Sequence, residues 1–229
     1  MSRRRRLAAL VVAVALLDWA TALVTNALHM PFFLDSWATS AGVMVGGVGA
    51  GAAGGVLYNL LMAATVWGAR AWVWCASSVL VACTTFVFWR VGWIDIERPF
   101  RLVGVGVLTG LANACLATAI LYLLLGVPDD PNTGAFRDLL RATLGESSAS
   151  FLIQEIVIEV GDKTISLIGA AALVVLVAER RGRAAGRRAR DGTRPTWLAA
   201  RAAVSWANFQ ACTVPARLEH EAGACGVEA

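Results

Sequence analysis

The chain is poor in the groups that soluble enzymes use for chemistry. Only two histidines occur among 229 residues, and charged side chains make up 16% against a usual share of about 25%. His29 and His220 stand alone, whereas a zinc site needs convergent ligands. The five cysteines form no Cys-x-x-Cys pair. Cys75, Cys83 and Cys115 fall inside apolar runs, where a thiol behaves as a small hydrophobe. Neither a disulfide framework nor a metal site is indicated. There is no Gly-x-Ser-x-Gly elbow and no His-Glu-x-x-His pair, and no Lys-Ser/Thr pair follows the glycines of GGVGAGAAGG. The expectation is a protein without catalytic residues, cofactor or metal.

Apolar residues are abundant instead, at 58% of the chain, and they are gathered in long runs. Runs near the length of about 20 residues needed to cross a bilayer predict an all-α, polytopic membrane protein. The opening MSRRRRLAALVVAVALL imitates a secretory signal. Its apolar stretch continues to about Leu28, so a retained first helix is expected rather than a cleaved leader.

Six helices are expected, as one bundle over residues 1–180. Helix 1 covers about Leu7 to Leu28 and stops before Pro31. Helix 2 covers Asp35 to Val48 and helix 3 covers Ala52 to Trp67, with Gly46, Gly47, Gly49 and Gly51 as the turn between them. Both are short for a perpendicular span; one re-entrant hairpin is the alternative. Helix 4 runs from Ala71 to Trp89, helix 5 from Leu102 to Leu125 and helix 6 from Ser150 to Ala178. GVPDDPNTG is a turn cluster, and Phe136 to Leu144 reads as an amphipathic helix at the interface. Residues 181–229 form a basic tail that is expected to be disordered.

Charge fixes the expected orientation. Arg3 to Arg6, Arg90, Arg98, Arg101 and eight arginines from Arg180 to Arg201 fall on one side of a six-helix topology. Arg70, Arg137 and Arg141 fall on the other. By the positive-inside rule both termini are expected to be cytoplasmic; the expected location is the plasma membrane. The net charge of +4 is explained by these ends, so no nucleic-acid partner is expected.

Polar residues inside apolar runs mark the candidate site, because ionisable groups there are costly and usually face a cavity, a partner or a pathway. In QEIVIEVGDKTIS, Glu155, Glu159 and Asp162 stand at i, i+4 and i+7 on one helical face. Lys163 follows Glu159 by four residues, the favoured order for an ion pair. A structural Glu159–Lys163 pair and a polar wall for a ligand are both consistent with this spacing. Asp35, Thr39, Asn59 and Asn113 form a second set, in which Asp35 also suits a helix N-cap. Asp18, in the middle of helix 1 beside Trp19, has no partner that the sequence identifies.

FLDSWATSAGVMVGGVGAGAAGGVLYNLL resembles the "F-x-D-x-x-x-T … G … G-A … G … x-N" segment common in substrate-binding S components of energy-coupling factor (ECF) transporters. EVGDKTIS, Glu159 to Ser166, resembles their "E-x-x-D-K-x-x-S" stretch in the last helix. The resemblance covers about Leu7 to Ala178 and implies a six-helix membrane protein that captures a vitamin or similar small micronutrient. It implies a transmembrane coupling subunit and two ATPase subunits as partners. The coupling subunit would meet a small-xxx-small pattern on helix 1, which Ala9 and Ala13 fit. Asp35, Thr39, Asn59, Asn113, Glu155 and Glu159 are the candidate ligand contacts. The alternative is a membrane sensor or interaction module of a signalling system, with the tail docking a cytoplasmic partner.

Overall fold

The computed structural model describes residues 2–125, 134–145 and 148–188. All regular structure among them is helical. Its elements are α1 (Arg3–Ala27), α2 (Trp37–Gly46), α3 (Val48–Met62), α4 (Cys75–Arg90), α5 (Pro99–Ile120), α6 (Gly134–Leu144) and α7 (Ser148–Arg188). A π-helical turn, Ala63–Trp67, extends α3, and a 3₁₀ segment, Ala69–Trp74, leads into α4. A second π turn, Leu121–Leu125, ends α5. Contacts divide the chain into one unit of Met1–Val175 and another of Leu176–Ala229. The described part of the second is helix to Arg188. The turn cluster at 126–133 and the tail beyond 188 lie outside the described residues.

Among the described residues, five helices are long and apolar enough to cross a membrane: Arg3–Ala27, Val48–Trp67, Ala71–Arg90, Pro99–Leu125 and Ser150–Arg180. α2 is different. Its ten residues rise about 15 Å, half of a hydrocarbon core about 30 Å thick.

The chain before α2 explains how so short a helix fits. Trp37 at its start donates from Nε1 to Thr21 Oγ1 (2.9 Å), several residues short of the end of α1. A Cβ on Gly46, at the other end, would meet Leu10 of α1. α2 is therefore antiparallel to α1, and residues 30–36 descend alongside α1 in non-helical form before α2 begins. Non-helical backbone at this depth needs internal partners. Met30 N–H donates to Thr25 O (3.0 Å), Thr25 Oγ1 donates to Phe33 O (2.9 Å) and Leu34 N–H donates to Asp162 Oδ1 (2.5 Å). Leu34 holds a left-handed φ of 48°, a conformation that costs a side-chain-bearing residue of order 1 kcal/mol.

The reversal into α3 takes one residue, Gly47, at φ 86°. The broader turn expected over Gly46–Gly51 is corrected: Gly49 and Gly51 lie inside α3. Gly51 and its neighbours serve close approach instead, as small residues do between membrane helices. A Cβ on Gly51 would stand 2.7 Å from Thr39 O, and one on Gly55 would stand 2.7 Å from Ser78 Cβ. The same logic joins α5 to α7. A Cβ on Gly106 would meet Thr164 Cα at 2.6 Å, and one on Gly110 would meet Val160 Cα at 2.5 Å. α5 also begins three residues earlier than expected, because Pro99 starts the helix as a proline at N1 can.

Two apolar cores form in the first unit. Tyr58 and Met62 pack with Ala15 and Ala22, flanked by Trp19, Leu57, Leu61 and Trp67. Ala41, Met44, Leu102, Val105, Leu167 and Ala170 form the other, together with Ile94 from the α4–α5 loop.

Candidate functional site

Lys163 is the only lysine in the chain, and it is buried in α7. Three carboxylates surround its ammonium. Asp162 Oδ2 lies at 2.5 Å, Asp35 Oδ1 at 3.4 Å and Glu159 Oε2 at 3.4 Å. The expected Glu159–Lys163 pair is present, and it is one contact of three. Asp162 makes the shortest although adjacent helix positions do not face each other. The flexible lysine stem makes the reach possible.

The network continues outward from each acid. Tyr58 OH donates to Asp35 Oδ2 (2.8 Å). Asn113 Nδ2 donates to Glu159 Oε2 (2.6 Å), and Ser77 Oγ donates to Asn113 Oδ1 (2.8 Å). Asp162 Oδ1 accepts the Leu34 N–H already described. Side chains from α3, α4, α5, α7 and the segment before α2 thus meet around one ammonium. A Cβ on Gly161 would meet the ring of Phe32, so the same pre-α2 segment packs on α7 beside the charges.

The other candidates take different places. Thr39 is buried and donates from Oγ1 to Asp18 Oδ2 (2.7 Å). Asn59 donates to Gly55 O (2.9 Å) and to Ser78 Oγ (2.7 Å), tying α3 to α4. Glu155 is buried on α7, with the Gln154 amide nitrogen 3.5 Å from its Oε1. Ala9 and Ala13 are exposed on α1, on the side away from buried Val14, Ala15 and Asp18.

Asp18 is the residue whose part the sequence hid. It is fully buried, and its two oxygens accept the N–H groups of Ala38 and Thr39, each at 2.9 Å. These are the N2 and N3 donors that an N-cap side chain normally satisfies. Ser36, at the N-cap position, makes no such bond. The capping alternative for Asp35 is therefore corrected: Asp18 caps α2 from another helix, and Asp35 belongs to the lysine cluster. The carboxylate also sits at the end of α2 where the helix dipole favours negative charge.

Tyr58, Ser77 and Asp162 join the cluster without having been singled out as contacts. Asp162 carried a signal, since it shares a helical face with Glu155 and Glu159. Tyr58 and Ser77 carried none, because only packing brings them to Asp35 and Asn113. Among the described residues no group of three or more His, Cys, Asp or Glu is placed to hold a metal ion. What the arrangement can do is hold charge and donate or accept hydrogen bonds away from water.

No protein-family model, no curated protein and no solved structure matches the chain.

Proposed function

We propose that this chain is the substrate-binding S component of an ECF-type importer, capturing a vitamin or similar small organic micronutrient in the plasma membrane. One observation carries the reading. The two segments on which the resemblance rests, 33–61 and 159–166, meet side chain to side chain at Asp35 and Lys163, although 128 residues separate them. Tyr58 of the first segment bonds to the same Asp35. A shared site would bring the two segments together in this way.

Two further features support it. In this reading α2 and the descending segment 30–36, which run antiparallel to α1, serve together as the sixth pass of a topology with both termini cytoplasmic. Ala9 and Ala13 are exposed on α1, where a helix of the coupling subunit can approach closely. The ligand wall is Asp35, Asn113, Glu155 and Glu159. Thr39 and Asn59 hold the helices that present it. The chain performs no covalent chemistry; energy comes from two ATPase subunits through the coupling subunit.

The test is purification from the native host with mass spectrometry of retained small molecules and co-purifying proteins. A retained micronutrient together with ATPase subunits is expected. Ala13→Leu should abolish that co-purification while leaving the small molecule bound. A chain that retains nothing and brings down a signalling regulator instead would replace transport with sensing.

A further inference from the structure

The loop between α4 and α5 is pinned, yet it turns large apolar side chains outward. Gly92 takes a left-handed φ of 74°, and Trp93 N–H donates to Phe88 O (2.9 Å). The Trp93 and Phe88 rings stack with centroids 5.6 Å apart, and Ile94 enters the core beside Leu102. Trp93, Ile96 and Phe100 are left exposed, Phe100 at 92%. Turning them inward would give up the contacts that hold the loop.

Depth decides what meets these side chains. The helices on either side of the loop are each long and apolar enough to cross a membrane. If both span, the loop joining them stands at the level of the lipid headgroups. Phe100 also heads an outward stripe of α5. Val103 and Leu111 lie one and three turns further on along the same side, and both are exposed. Aromatic residues concentrate at headgroup depth in membrane proteins.

Charge then selects the lipid. Arg98 and Arg101 flank Phe100 and are exposed; at i and i+3 their charges are neighbours that repel. Asp95 approaches Arg98 Nε only to 3.9 Å. More arginine gathers at the same end. Met44 of α2 shares a core cluster with Leu102, and a Cβ on Gly46, two residues on, would meet Leu10 and lie 3.7 Å from Leu7 of α1. Arg3 to Arg6, exposed in the turn before Leu7, therefore stand at the end of the bundle where α5 starts. With Arg90 they make seven arginines there, against Asp95 and Glu97 among the described residues.

We infer that this face binds acidic phospholipid. Trp93, Ile96 and Phe100 enter the boundary of the acyl chains, and Arg98 and Arg101 clamp the headgroup phosphate, whose geometry a guanidinium fork matches. The inference goes beyond substrate capture: it needs the chain to lie in a bilayer and does not depend on transport.

The experiment uses the full chain in nanodiscs of phosphatidylcholine mixed with phosphatidylglycerol, one of the two carrying brominated acyl chains that quench tryptophan. The difference between wild type and Trp93→Phe, which keeps an aromatic ring on Phe88, isolates the Trp93 signal. Exchanging which lipid is brominated gives the preference at that residue. Each arginine near the surface is worth about fivefold, so the pair should favour phosphatidylglycerol by up to about 30-fold. Arg98→Gln/Arg101→Gln should remove the preference, and salt at about 1 M should weaken it by screening. A wild type without preference, a folded double variant that keeps it, or a Trp93 quenched by neither lipid overturns the inference. The wild-type preference and its loss in salt are read without touching an arginine, so a double variant that fails to fold leaves the test standing. Absence of co-purifying ATPase subunits would remove transport and move neither measurement.

Discussion

Replacing Lys163 with methionine tests the centre of the structure. Methionine keeps much of the stem volume, so the lesion is the lost charge. At 3.4 Å, a pair of unit charges at an effective dielectric of 20 interacts by about 5 kcal/mol before desolvation is subtracted. Lys163 makes two contacts at that distance and a closer one with Asp162. Its removal leaves three carboxylates facing one another in a buried space. Breaking a buried pair from one side typically costs about 3–5 kcal/mol. At about 2–4 °C per kcal/mol for a chain of this size, Lys163→Met should lower the thermal midpoint by about 6–20 °C in nanodiscs. Neutralising an acid in the same chain should recover part of the loss. Asp162→Asn should recover more than Glu159→Gln, since Asp162 is the nearer and more buried partner. Coupling of about 1–3 kcal/mol is expected for the Lys163–Asp162 cycle. Losses that add to within about 0.5 kcal/mol for all three acids would refute the cluster.

Three other outcomes follow from the geometry. Asp18→Ala should destabilise the chain by about 1–3 kcal/mol, by stranding the Ala38 and Thr39 N–H groups; Asp18→Asn, which keeps one acceptor, should lose less, and equal losses would remove the capping role. Gly110→Ala places a methyl 2.5 Å from Val160 Cα, so it should force α5 from α7 and cost about 1–3 kcal/mol, whereas Gly104→Ala, with open space around it, should not; equal midpoints for the two would contradict the seam. Reporter fusions after Leu125 and after Arg181 should lie on opposite faces of the membrane, and reporters on the same face would overturn the six-pass reading.

The sequence alone settled what depends on local pattern. Apolar runs with few charges named the long helices, since each satisfies its own backbone wherever it lies. The spacing of Glu155, Glu159, Asp162 and Lys163 placed them on one polar stretch, because helical geometry relates residues three and four apart without reference to the rest of the chain. Tertiary structure decided everything that pairs distant residues. Nothing local to Asp18 shows that it caps a helix beginning 19 positions later, and nothing near Leu34 shows that its N–H finds Asp162. Gly49 and Gly51 read as part of a turn in sequence, because conformational freedom and small size belong to the same residue; which neighbours approach Gly51 and Gly55 is decided by packing. α2 could be short because residues 30–36 descend beside α1 before it starts, and that descent depends on acceptors from α1 and α7. A buried charge needs partners, and which partners arrive is set by how the helices pack.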